Sequence, residues 1–236
     1  MHELTENLHD AVEGRAIAPV QAQRRRASLF QIYVLMASAA FIALAVAAHF
    51  VPYFPIDLTI TREVQSYHGA VYDAVMRALT WVGFTPQAQL LGAALLVVML
   101  LTGLRWEAVG GAFAGLVSVI GAAIKLLVYR PRPSADLVYV FRQLPDTGFP
   151  SGHVLSAVAF GGYMGFLAYT LLKPSWPRTV ILILIALGVV LMGPSRIYMG
   201  QHWFSDTMGA YVLGSLWLAL SIKLYRRLRH KNARPD

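Results

Sequence analysis

The residues of this chain that can do chemistry fall in three short groups: Lys125 with Arg132-Pro133, then Pro150-Ser151-Gly152-His153, then Ser195-Arg196 followed by His202 and Asp206. They bring three cations, two histidines and one carboxylate to the ends of apolar segments. Clustered cations offset the charge of a phosphoryl group, and a histidine oriented by a carboxylate is a base or a nucleophile. The set therefore suits holding a phosphate and attacking it.

Each group has a physical reason for its contents. Pro150-Ser151-Gly152-His153 reads as a helix start, with Ser151 as N-cap. Gly152 lets the backbone approach an anion, and the exposed N–H groups and helix dipole favour a phosphate. Lys125, Arg132 and Arg196 then surround that anion, the arginines as forks matched to paired oxygens and the lysine as a compact charge. His202 and Asp206 are four residues apart, so on a helix they share a face and the carboxylate accepts from one imidazole nitrogen. The other nitrogen is left as the nucleophile. His153 is then the proton donor to the leaving oxygen, which needs the opposite protonation state. The same side of the chain offers no cluster of carboxylates for a hard cation, so neither a metal nor another cofactor is expected.

The elements that must position these groups are apolar helices. The chain has 236 residues, 57% hydrophobic and 14% charged, with apolar residues in long runs. A span needs roughly 20 such residues to cross about 30 Å of hydrocarbon. Six stretches approach this length: residues 29–51, 87–104, 108–128, 153–172, 179–192 and 206–224. The fifth is short, and reaches a spanning length only by continuing as helix toward Ser195. The expected fold is all-α and polytopic. It comprises six transmembrane helices plus an amphipathic helical segment at the outer interface, where Val64, Tyr67, Val71, Val75 and Leu79 recur at helical spacing. That segment reads equally as a cap over the bundle or as the wall of a lateral opening.

Six spans put both termini on one side together with 13 of the 20 basic residues, among them Arg24 to Arg26, Lys173, Arg178 and the run from Lys223 to Arg234. Short cytoplasmic loops collect Lys and Arg, so that side is cytoplasmic. All three polar groups fall on the opposite, outer face. The net charge of +8 thus needs no nucleic acid to explain it, and the bilayer is the expected partner. The sequence sets no oligomeric state. Ala45-Val46-Ala47 resembles a signal cleavage site, but the long apolar run and the long preceding tail favour an uncleaved anchor. The expected organisation is a cytoplasmic arm over residues 1–28, a membrane domain over 29–225 and a basic cytoplasmic tail over 226–236.

With Lys125 to Pro133 reading KLLVYRPRP, then PSGH, then SRIYMGQHWFSD, the sequence resembles the type 2 phosphatidic acid phosphatase superfamily, in its membrane branch. The three parts match Lys-x6-Arg-Pro, Pro-Ser-Gly-His and Ser-Arg-x5-His-x3-Asp without a departure. The resemblance implies that His202 forms a phosphohistidine with help from Asp206, and that His153 protonates the leaving group. It also implies that Lys125, Arg132, Ser151, Gly152 and Arg196 bind phosphate, without a metal. The expectation is a lipid phosphatase in a bacterial plasma membrane, acting on phosphatidic acid, phosphatidylglycerol phosphate or a polyprenyl diphosphate. A lipid phosphotransferase would use the same site. A non-catalytic anion or lipid transporter would instead spread its charges through the membrane depth, whereas here they lie at span ends. A soluble vanadate-dependent haloperoxidase shares the three motifs but is contradicted by the apolar spans.

Overall fold

Runs of Ala, Leu, Val and Ile satisfy their backbone groups internally only as helix, which is what lipid requires. The computed structural model describes residues 2–83 and 85–232, with the side chains of residues 2–21, 23, 82, 85–86 and 230–232 outside that description. The side chains of Arg15, Lys231 and Arg234, assigned above to the cytoplasmic arm and tail, lie outside the described residues.

All the regular structure of the described residues is helical, and they contain no strand. In chain order the helices are α1 (His2–Phe50), α2 (Pro55–Ser66), α3 (Ala70–Val82), α4 (Thr85–Leu101), α5 (Arg105–Gly115), α6 (Val117–Val128), α7 (Gly152–Ser156), α8 (Gly162–Leu171), α9 (Trp176–Tyr198) and α10 (Phe204–Asn232). One π turn, Ala157–Gly161, joins α7 to α8. The chain divides into two units, Met1–Ala39, which takes in the first part of α1, and Ala40–Asp236, which holds the site described below.

Five segments are long and apolar enough to cross a membrane: Arg24–Phe50, Arg105–Val128, Gly152–Leu171, Trp176–Tyr198 and Phe204–Arg229. The second expected span forms a shorter apolar helix, Gln87–Leu101. The fifth does continue past Ser195, through an internal proline, to 23 residues. Pro194 has no N–H for the carbonyl of Val190 four residues back. The hydroxyl of Tyr211 on α10 donates to that carbonyl at 2.7 Å and accepts from Gly193 N at 3.0 Å, so α9 crosses the break and still delivers Ser195 and Arg196 on its last turn.

From Arg105–Val128 onward, successive long segments run in opposite directions. Lys125, the start of α7, Arg196 and the start of α10 share one end. At the other end Arg229 Nη1 lies 3.0 Å from Glu107 Oε1, tying the far part of α10 to the start of α5. The core between them is built from Val117, Val154, Leu155, Val158, Ala159, Met192, Ala210 and Leu213. Small residues permit the close approach: Gly161 packs on Val189, Gly165 on Ile185 and Gly111 on Leu96.

The segment expected as one amphipathic helix is two helices, α2 and α3, separated by residues 67–69. Of the apolar stripe read from the sequence, Tyr67 and Val71 are exposed, whereas buried Asp57 and Thr61 anchor α2. Gln65 carries the packing role: its side chain bonds the backbone of Tyr139 in both directions (2.8 and 3.1 Å) and donates to the carbonyl of Tyr198 at 3.1 Å. Polar anchoring, which an apolar pattern does not register, therefore fixes α2 under the loop that precedes α7.

Candidate active site

The site is built where four chain segments meet: the end of α6 with its following loop, the start of α7, the end of α9, and the turn into α10. Lys125 stands on the last turn of α6, where Tyr129 takes a left-handed conformation (φ 49°) that ends the helix. The loop returns immediately, because Thr147 Oγ1 donates to the carbonyl of Lys125 at 3.0 Å and the Lys125 ammonium donates back to the carbonyl of Thr147. Gly200 (φ 61°) turns the chain after α9 against the backbone of Tyr139, where a Cβ would collide. Gln201 N then bonds the carbonyl of Arg196 at 3.1 Å, which aims the next residue, His202, into the site.

His202 lies ahead of α10 rather than on it, which corrects the shared helix face expected from the four-residue spacing. The pair meets for another reason: Asp206 Oδ2 accepts from Trp203 N at 3.0 Å and so folds back over the helix start. The same Oδ2 is 3.5 Å from His202 Nδ1, inside ion-pair range and longer than a formed hydrogen bond. On the opposite ring edge, Arg132 Nη1 is 3.0 Å from His202 Nε2. A guanidinium has only donors, so Nε2 must present its lone pair and the proton belongs on Nδ1, facing Asp206. Burial above all, followed by the charges of Arg132, Lys125 and Arg196, holds the imidazole well below its ordinary pKa. It is therefore neutral and a competent nucleophile near neutral pH.

The phosphate-binding residues expected from the sequence surround that nitrogen. Arg132 donates to the carbonyls of Gln201 and Asp146 and pairs with Asp146 Oδ1 at 2.7 Å. Lys125 Nζ is 3.1 Å from Asp146 Oδ2. Burial works to raise the carboxyl pKa of Asp146, but the two cations outweigh it and hold the group below the ordinary carboxylate value. Arg196 is fully buried; its Nη2 bonds Gln201 Oε1, while its Nε and Nη1 have no hydrogen-bond partner among the described residues. Ser151 occupies the N-cap position, yet its hydroxyl makes no cap bond and is likewise unpartnered, in contrast to the capping role expected. Unpaired donors on a buried cation are costly unless an anion accepts from them. Open space lies in front of Gly152, where a Cβ would touch nothing. His153 packs against Gly83. All eight residues picked from the sequence thus lie at one end of the helices; of them Arg132 alone lines the cleft of about 230 Å³ that Asp146, Arg142 and Gln201 also border. Among the described residues no three His, Asp or Glu side chains converge to hold a metal ion.

A buried layer behind the site was not legible in the motifs. Arg130 is completely buried and pairs with Asp206 Oδ1 at 2.6 Å and Asp57 Oδ2 at 2.8 Å. Asp57 in turn accepts from Ser205 N and Ser205 Oγ, both at 2.8 Å. This chain of contacts runs from α2 to Asp206, the carboxylate beside His202. The repeated Arg-Pro of residues 130–133 was the available signal, since it offers two arginines where a phosphate clamp uses one.

Residues 91–230 match the family model of the PAP2 superfamily, a stretch that includes every site residue picked from the sequence. The chain belongs to the PAP2 superfamily. Like its relatives within it, undecaprenyl-diphosphatase and phosphatidylglycerophosphatase, it is a phosphatase acting on phosphoric esters or diphosphates. It is 30% identical over 154 residues to undecaprenyl-diphosphatase BcrC of Bacillus subtilis (strain 168), covering 63% of this chain and 72% of that one. Phosphatidylglycerophosphatase B of the same organism is 31% identical over 103 residues, covering 42% of this chain and 47% of the relative. The crystal structure of the transmembrane PAP2 type phosphatidylglycerolphosphate phosphatase from Bacillus subtilis superposes with a TM-score of 0.69 at 22% identity, over 86% of this chain and 98% of that one. That likeness establishes the fold: an integral membrane bundle of the superfamily's kind.

Proposed function

We propose that this phosphatase releases inorganic phosphate from a lipid phosphate or diphosphate through a phosphohistidine on His202. The observation that carries the reading is the environment of that ring, with Nδ1 toward Asp206 and Nε2 beside Arg132. In the first step Nε2 attacks phosphorus, the P–N bond forms, and the P–O bond to the lipid breaks as His153 protonates the leaving oxygen. In the second, water attacks the same phosphorus, His153 takes its proton, and the P–N bond breaks to free phosphate. Lys125, Arg132 and Arg196 balance the charge in both steps, with Ser151 and the backbone at Gly152 holding the remaining oxygens.

The site opens at the end of the apolar helices, which lets a headgroup reach it while the tails stay in lipid. Six crossings, with α4 as the short one, bring both termini to one side, and the excess of basic residues assigns that side to the cytoplasm of a bacterial plasma membrane. The active site then faces outward. The relatives' names make phosphatidylglycerol phosphate and undecaprenyl diphosphate the first substrates to try, beside phosphatidic acid. Purified protein in detergent micelles, with EDTA present, should release inorganic phosphate from at least one of these and carry an acid-labile, alkali-stable phosphoryl label on His202. Label transferred to an added lipid or alcohol, with no free phosphate, would make the enzyme a phosphotransferase.

A further inference from the structure

Two of the cations assigned to phosphate already share an anion. Asp146 places Oδ1 2.7 Å from Arg132 Nη2 and Oδ2 3.1 Å from Lys125 Nζ. One oxygen on each cation is the arrangement that two oxygens of a phosphoryl group would adopt. Two other carboxylates of the region, Asp57 and Asp206, are wholly buried and turned to Arg130. Asp146 differs in position: its side chain is 52% exposed, it lies in the non-helical loop before α7, and it lines the cleft together with Arg132 and Gln201. Nothing in the proposed chemistry uses it, and it stands where the substrate's charge must go.

We infer that Asp146 is an internal competitor for the phosphoryl site, a carboxylate that holds Lys125 and Arg132 until a phosphoryl group displaces it. This rests on the reading that those two cations bind the substrate phosphate. Displacement weakens every phosphoryl ligand by the same factor. A lipid substrate offsets the loss through its tails, whereas free phosphate has no such anchor. Asp146 therefore raises the threshold that any phosphoryl ligand must meet, which a tail-anchored lipid passes and free phosphate does not, and it hastens departure of the inorganic product.

The test is inhibition by inorganic phosphate of turnover of a lipid monophosphate by the full chain in detergent. Asp146→Asn removes the competing charge, Asp146→Glu keeps it, and Asp136→Asn neutralises another carboxylate of the same loop. The Asn variant should lower both the Ki for phosphate and the KM roughly fivefold, as the loss of a partly exposed ion pair implies. The Glu and Asp136 variants should stay near wild type. An unchanged or raised Ki in Asp146→Asn overturns the inference, since the carboxylate would then be positioning the cations rather than blocking them. Thermal unfolding of each variant separates that result from misfolding, and if Asp146→Asn does not fold, Asp146→Ser takes its place with the same criterion. A wild-type enzyme that turns over the lipid yet is indifferent to phosphate and vanadate would instead remove the reading of Lys125 and Arg132 beneath it.

Discussion

Replacing Arg130 by Met tests whether the buried layer orients the nucleophile or merely fills space. The substitution deletes the bonds from Arg130 to Ser205 Oγ (2.7 Å), Asp206 Oδ1 (2.6 Å), Asp57 Oδ2 (2.8 Å) and the carbonyl of Pro52 (3.1 Å). Two fully buried carboxylates are then left without their shared counter-charge. Breaking one side of a buried pair costs about 3–5 kcal/mol, so the variant should unfold at a clearly lower temperature. Activity should fall separately. Disabling the orienting carboxylate of a histidine-based triad costs up to about 10⁴ in kcat, so a displaced rather than deleted Asp206 should cost about 10²–10³. KM should hold within about twofold, because Arg130 faces away from the phosphate site and an orienting interaction is felt in kcat. Arg130→Lys, which retains a cation but not the fork, should recover part of the loss. The assay is kcat and KM on a lipid monophosphate in micelles, read well below each variant's unfolding temperature. Wild-type kcat in a folded Arg130→Met protein would refute the orienting role. A tenfold rise in KM at constant kcat would make Arg130 a phosphate ligand instead.

Three further outcomes follow from the same geometry. A histidine whose pKa is lowered remains neutral in mild acid, so the acid limb of kcat/KM should lie below about pH 6.5; Arg132→Gln removes a positive charge, raises the imidazole pKa and should move that limb upward. A pH profile with a higher wild-type limb, or a downward shift in the variant, contradicts the assignment. His153→Asn should hurt a lipid monophosphate more than a diphosphate, whose leaving group needs less protonation, while His202→Asn should abolish both; equal losses in the two variants would remove His153 as the acid. Because the chain has no cysteine, single cysteines can report topology: Ala135→Cys should react with an impermeant maleimide in intact cells and Lys173→Cys should not, and the reverse pattern would place the site on the cytoplasmic side.

The helices themselves were readable because hydrophobic runs and breakers are local properties. Trp176–Tyr198 is the instructive case: composition alone stopped the span near Met192, since Gly193-Pro194 looks like an end. The hydroxyl of Tyr211, contributed by the neighbouring helix, is what carries the helix through. The α2–α3 segment shows the opposite failure. Its apolar stripe was visible, but what fixes it is Asp57 and Gln65, polar residues whose partners on other elements lie 73 or more positions away in the sequence. Periodicity cannot report bonds of that range.

By itself the sequence singled out the candidate reacting groups, because Lys125, Arg132, Ser151, Gly152, His153, Arg196, His202 and Asp206 point to a chemistry by their types and their spacing. It also determined the membrane setting, through the length of its apolar runs. Only the tertiary structure decided which arginine does what. Arg130 and Arg132 are identical in type and two positions apart, yet one is sealed between Asp57 and Asp206 while the other reaches His202 Nε2. The structure likewise decided which imidazole nitrogen faces Asp206, and that Asp146 pairs with two of the cations proposed to bind phosphate. The physical reason is that an ion's role depends on what faces it and on how much water surrounds it. Both are set by segments that meet only when the chain folds.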